Sequence, residues 1–319
     1  MKDVKRLNWR QQFQEYLPAD LARGKYKQAH RLRIQMGIPT SDWFVALHVR
    51  EGGFYGDAAM NGHRSASIGN YLEGIQAITR AGGWVVRLGD RSMTPLPPME
   101  RVIDYPRTSF KCDLMDLYLL KYSEFFVGCD SGVSCVAVNL FKKRAIIING
   151  AQWAAWPGFL KGNLNISKHV FSRSRRRFLS LKELLQEPLR YQNFYHAVEN
   201  DYVYYENTPE EIREVIVEFL ATPPDHPYSQ LQESFNSKRK NQIYEWLEQE
   251  APFCDAEHDV SERYRIAAYC EGDAGTIGQK FIEQNWETDS YSKILVTTAQ
   301  GEQKESLSFA DDYGINQEG

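Results

Sequence analysis

The chain has 319 residues, 42% of them hydrophobic and 25% charged, and its 38 basic and 42 acidic side chains leave a net charge of −4. That length suggests one large or two modest domains, and the balance is that of a globular chain rather than a disordered one. The small negative charge gives no overall pull toward nucleic acid or anionic membrane, so no nucleic-acid partner is expected.

No apolar stretch approaches membrane-spanning length, and the opening MKDVKRLNWRQQF is polar rather than a signal peptide. Five cysteines (112, 129, 135, 254 and 270) form no CxxC pair and favour reduced thiols over a disulfide framework. Together these features lead us to expect a cytoplasmic protein.

Residues 1–40 read as a helical N-terminal segment. Trp9, Phe13 and Leu17 fall four apart until Pro18 interrupts them; after Gly24, the residues Tyr26, Ala29, Leu32 and Met36 recur at three or four, and Gly37 stops the pattern. The run Trp43-Phe44-Val45-Ala46-Leu47 is apolar and β-rich, as in a strand buried on both faces. It breaks into His48, Arg50, Glu51, Gly52 and Gly53, a charged strand end followed by a bare-backbone loop. Ligands bind at such carboxyl edges in open α/β sheets. Arg50 can fork onto a phosphate while the glycine amides approach the same anion.

Further on, Ile68, Tyr71, Leu72, Ile75 and Ile78 share one helical face, Gly82-Gly83 ends that helix, and Trp84 to Leu88 forms a second strand ending in Gly89-Asp90. Arg87, near that end, is a further candidate cation. After a proline-rich turn comes a short strand at 101–103 leading to Asp104, which can accept hydrogen bonds from a purine or amide edge. A helix over 113–122, a strand over 124–128 and a helix over 133–140 follow, with the next strand at 144–149. Alternation at this rhythm predicts a doubly wound, mostly parallel, Rossmann-like α/β sheet over residues 41–222.

The turn Gly128-Cys129-Asp130-Ser131-Gly132 leads from strand into helix, where amides and a hydroxyl make an anion site or, more simply, a helix cap. Thr208, Pro209 and Glu211 open a helix with a capping box, and Ile212, Val215, Ile216 and Phe219 line its inner face. Arg173 to Arg177 reads as a solvated basic loop. Cys254 to Asp259 lacks zinc spacing. Residues 223–319 are expected to be a mainly helical extension, helical to about 250 and over 260–287, with a loose polar tail from 301.

The segments HVREGGFYGD, GGWVVRLGD, VIDY and FFVGCDSGVSCVAVNLF, in this order, resemble a bacterial glycosyltransferase family. That family is similar in turn to the fucosyltransferase-like GT-B enzymes, with their His-x-Arg motif. The resemblance covers roughly residues 38–220. It implies the C-terminal, nucleotide-sugar-binding half of a GT-B transferase. By position, Arg50 of His48-x-Arg50 would hold the donor pyrophosphate, Asp104 would read the base, and Asp130-Ser131-Gly132 would close over the phosphates. Arg64 would be a second cation. A GDP-sugar is the favoured donor, and the acceptor would be a glycan, a lipid-linked sugar or a protein. Such a transferase needs a second Rossmann-like domain on the acceptor side; either the chain is a shortened form, or that domain comes from a partner, or residues 223–319 contribute to it.

Inverting transfer needs a carboxylate to deprotonate the acceptor hydroxyl and cationic or amide groups to neutralise the departing diphosphate. Asp57 is the first candidate base and Glu51 the second. No Asp-x-Asp pair stands at a strand end, so no metal and no cofactor are expected. The alternatives are a non-catalytic nucleotide-sugar-binding module, a nicotinamide-dependent oxidoreductase, and a cysteine hydrolase using Cys129. The oxidoreductase is disfavoured because Glu51-Gly52-Gly53-Phe54-Tyr55-Gly56 lacks Gly-x-Gly-x-x-Gly spacing. The hydrolase lacks an evident partner histidine.

Overall fold

A computed structural model describes residues 18–51, 62–151, 160–186, 202–248 and 274–291. Seven strands form one parallel sheet: β1 (Phe44–His48), β2 (Trp84–Arg87), β3 (Val102–Asp104), β4 (Phe126–Gly128), β5 (Ala145–Gly150), β6 (Leu164–Ser167) and β10 (Thr276–Ile277). Their order is β10-β6-β5-β4-β1-β2-β3. The first four central strands, β1, β2, β4 and β5, are the apolar runs seen in the sequence. A sheet covered on both faces needs such strands, because neither set of side chains meets water.

Each face carries its own core. On one side lie α2 (Leu72–Arg80) and α6 (Pro209–Ala221), whose Ile75, Ile78, Ile212, Val215, Ile216 and Phe219 bury against Val45, Leu47, Val127 and Ile146. On the other side lie α1 (Arg23–Gln35), α3 (Asp113–Tyr122) and α4 (Gly132–Cys135), burying Ala29, Met115, Tyr118 and Leu119 against Phe44, Ala46, Phe126 and Ile147. Each large apolar side chain so buried contributes about 1.5–3 kcal/mol relative to exposure. Gly37, at φ +97°, takes the left-handed turn that ends α1. The capping box expected at Thr208 is formed: its side chain accepts from the Glu211 amide at 3.1 Å, and Glu211 accepts from the Thr208 amide at 2.9 Å.

Three elements differ from expectation. The helix expected from Ile68 opens as a 3-10 turn, Ile68–Tyr71, capped by Ser67, before α2 begins. The helix after Ser131 is α-helical only to Cys135 and then widens into a π turn, Val136–Leu140. The segment after 223 is not simply an appended helical extension. Following α7 (Gln230–Glu248), β10 pairs parallel with β6 and leads into α8 (Gln279–Asn285), so the expected helix over 260–287 is, within the described residues, a strand and a short helix.

A small antiparallel sheet, β8-β7-β9, formed by β7 (His169–Ser172), β8 (Arg177–Leu179) and β9 (Tyr202–Tyr205), grows from the end of β6. The basic run Arg173–Arg177 covers its hairpin turn and the first residue of β8. At its base His169 is clasped by two carboxylates, Asp289 at 2.7 Å and Glu211 at 3.0 Å. Burial opposes charge on this imidazole, but the hydrogen bonds to Asp289 and Glu211 prevail and raise its pKa to about 9. The clasp ties the 274–291 segment to the first turn of α6. The 1–17 helical piece, the 254–259 group and the polar tail lie outside the described residues. None of the helices in the described residues is long and apolar enough to cross a membrane.

Candidate functional site at the sheet reversal

From β1 the chain winds outward through β2 and β3, and from β4 it winds the other way through β5 and β6. The reversal therefore lies between β1 and β4. The crevice outside their carboxyl ends is the ligand position expected of an open α/β sheet. His48 and Arg50 leave β1 there, and Cys129 to Gly132 leave β4. Gly128 permits the close approach of the two strand ends, since a Cβ at that position would sit 2.9 Å from the His48 carbonyl oxygen.

Hydrogen bonds knit the two ends together. The Arg50 amide donates to Cys129 Sγ at 3.0 Å, and its guanidinium donates to Ser65 Oγ at 2.8 Å. Arg64 Nε donates to the Asp130 carbonyl at 3.2 Å, with its guanidinium 3.8 Å from the Asp130 carboxylate. Burial raises the pKa of that carboxylate, against the pull of Arg64 and Arg50, and its Oδ2 is buried without a hydrogen bond. His48, Arg50, Arg64, Asp130, Ser131 and Gly132, singled out from the sequence, are thus brought together.

Ser131 serves as helix cap and as a link to β1. Its Oγ accepts the Ser134 amide at 3.3 Å, lies 3.0 Å from Ser134 Oγ, and is 3.2 Å from His48 Nδ1. Ser134 gives its only hydroxyl proton to the Cys129 carbonyl. Ser131 must then donate to Ser134, which leaves His48 Nδ1–H as the donor to Ser131. Burial, reinforced by the Arg87 and Arg50 cations, drops the His48 pKa to about 4. The imidazole is therefore neutral at pH 7.

Glu51, Arg87 and Asp104, three other residues selected as site candidates, are joined in one network. Arg87 is wholly buried and donates to Glu51 Oε1 at 2.9 Å, to Asp104 Oδ1 at 3.4 Å and to the Thr94 carbonyl at 2.5 Å. Glu51 Oε2 accepts the Thr94 amide at 2.7 Å; Asp104 Oδ2 accepts the Leu96 amide at 3.1 Å and lies 3.4 Å from Arg107. A carboxylate so occupied is poorly placed as a base or as a reader of a nucleobase, and a guanidinium so occupied is poorly placed as a phosphate clamp. This network instead locks the ends of β1, β2 and β3. Asp90 shapes the loop after β2 by accepting the Ser92 amide at 2.7 Å.

Gly52, Gly53 and Asp57 lie outside the described residues. Cys129 is buried, and burial raises its thiol pKa to about 11, so it is not the thiolate a cysteine hydrolase requires. Two nearby residues escaped the sequence reading. His63 is buried, and desolvation together with Arg64, Lys168 and Arg50 pushes its pKa to about 3. Lys168, directly after β6, is only 4% exposed and donates from Nζ to the Ser65 carbonyl at 2.7 Å. Comparison with models of protein families, with curated proteins and with solved structures returned no match.

Proposed function

We propose that this chain binds a nucleoside-diphosphate sugar in the β1/β4 crevice and transfers the sugar to an acceptor hydroxyl, with inversion and without a metal ion. One observation carries this reading: Arg50, Arg64 and the Ser131 helix start converge where the sheet reverses. Guanidinium groups and amides at a strand-to-helix turn are suited to a diphosphate, both in binding it and in neutralising it as it departs. The order of the HVREGG, VVRLGD, VIDY and GCDSG segments supports a GT-B donor half of the fucosyltransferase-like kind, and with it a GDP-sugar. With both Glu51 oxygens engaged, Asp57 is the base assigned to the acceptor proton. Asp104 is tied to Arg87 and Arg107, so base recognition falls to other groups.

A non-catalytic nucleotide-sugar-binding module is the second reading, and the occupied state of Glu51, one of the two candidate bases, favours it. Calorimetric titration of GDP, UDP and ADP, with and without chelator, tests the binding step. At least one should bind, unaffected by chelator, and Arg50→Ala should weaken it by roughly 100-fold or more, as loss of a bidentate phosphate contact would. Wild-type protein that binds no nucleoside diphosphate contradicts the proposal. Hydrolysis or transfer of the matching nucleotide sugar separates the enzyme from the binding module.

A further inference from the structure

Lys168 presents an unbalanced charge. Its side chain is buried at the carboxyl end of β6, yet its ammonium has three donors and, among the described residues, one acceptor, the Ser65 carbonyl at 2.7 Å. Among the described residues no carboxylate lies within ion-pair distance of Nζ. Glu206, whose charge acts on Lys168 from beyond ion-pair distance, accepts the Ser67 amide and the Asn70 side chain on Oε2, each at 2.9 Å. A buried charge without a partner opposes folding unless something supplies the opposite charge. The other ionisable groups around it are Arg50, which reaches Ser65 Oγ, then His63, held neutral, Cys129, held as the thiol, and Arg64 with Asp130. Arg50 and Lys168 thus meet at Ser65, one on its hydroxyl and the other on its carbonyl, with Arg64 the residue before it.

We propose that Lys168 is a third cation of the donor site, contacting the diphosphate from the β6 side of the crevice. The anion that Arg50 and Ser131 are placed to hold would complete the bonding of the Lys168 ammonium, and the same contact would offset the charge growing on the leaving group. The inference rests on the diphosphate reading above and deepens it by one residue. It also makes a claim about the protein without ligand, because a binding lysine of this kind costs stability until its anion arrives. A lysine kept for structure does the reverse.

The test uses the full chain with Lys168→Met, Lys168→Arg and Arg50→Ala, measured by thermal unfolding and by calorimetry against GDP, UDP, ADP and pyrophosphate. Lys168→Met keeps the length of the stem and removes the charge. Without ligand it should melt higher than wild type, by roughly 2–4 °C. Its affinity for whichever diphosphate binds wild type should fall at least tenfold, on the order of one lost charged hydrogen bond, and Lys168→Arg should restore most of it. Unchanged affinity in Lys168→Met, or a lower ligand-free melting temperature, overturns the inference. If Arg50→Ala loses binding while Lys168→Met keeps it, the diphosphate reading stands and the role of Lys168 falls. If no probe binds wild type, both fall.

Discussion

Lys168 and His169 are neighbours in the chain, both buried and both able to carry charge, and the fold surrounds them in opposite ways. His169 sits between Asp289 and Glu211, with Glu211 held in turn by the Thr208 amide and the Ser290 hydroxyl. Every polar atom of the clasp has a partner within the protein. Lys168, one residue earlier, has a single carbonyl among the described residues. Arg87, at the end of β2, is closed off by Glu51 and Asp104 in the manner of His169. A charge that is balanced inside the protein holds the fold together. One that is not balanced points to a ligand.

The sharpest consequence is opposite signs at adjacent positions. His169→Gln should lower stability by roughly 3–5 kcal/mol in denaturant unfolding, because it leaves two buried carboxylates facing an uncharged amide. Lys168→Met should raise it. A loss below about 1 kcal/mol at His169 would mean that the clasp does not hold the 274–291 segment in place.

The clasp also fixes a pH dependence. Its folded-state pKa of about 9 lies above the ordinary histidine value of 6.5, so folded protein binds the proton more tightly than unfolded protein does. The contribution is full below about pH 6.5 and is lost as pH rises through about 9, amounting to at most about 3 kcal/mol. On the acid side Glu211 acts the other way. Burial raises its pKa, but the His169 bond and charge outweigh this and hold it below the ordinary range, so its contribution is lost as pH falls. Wild type should therefore lose stability between pH 6.5 and 9 more steeply than His169→Gln, and parallel curves would contradict the assignment.

The smallest effect belongs to the surface. Arg177 pairs with Glu183 at 2.5 Å and lowers that carboxyl to about 2, but the arginine is half exposed. Arg177→Ala should cost under about 1 kcal/mol, since water screens the pair. A loss comparable to that at His169 would show that burial is not what separates these charges.

Much of the central sheet was legible because β1, β2, β4 and β5 are apolar runs, and because Gly37 and the Thr208 capping box punctuate the helices. β6 was not. Asn163, Asn165 and Ser167 alternate with Leu164 and Ile166, and buried asparagine is a poor strand signal. Asn163 is retained because its side chain accepts the Ala145 amide at 3.0 Å, a tie between segments far apart in sequence. β10 is two residues long, and the antiparallel hairpin was hidden behind its arginines.

For the site, the ends of β1 and β4 were readable as charged or glycine-containing exits from buried strands. Arg87 carries the same local signature as Arg50. The role of Arg87 is fixed by Glu51, 36 residues away from it in sequence and beside it in space. Lys168 gave no local signal at all, since its meaning lies in what surrounds it in space rather than in its neighbours along the chain.

The most direct test of the account is a crystal structure of the protein soaked with GDP or whichever diphosphate binds best in calorimetry. The expected result is a diphosphate at the carboxyl ends of β1 and β4, bonded to Arg50 and Ser131 and reached by Lys168. A nucleotide bound at full occupancy elsewhere, with the β1/β4 crevice holding only water, would contradict it.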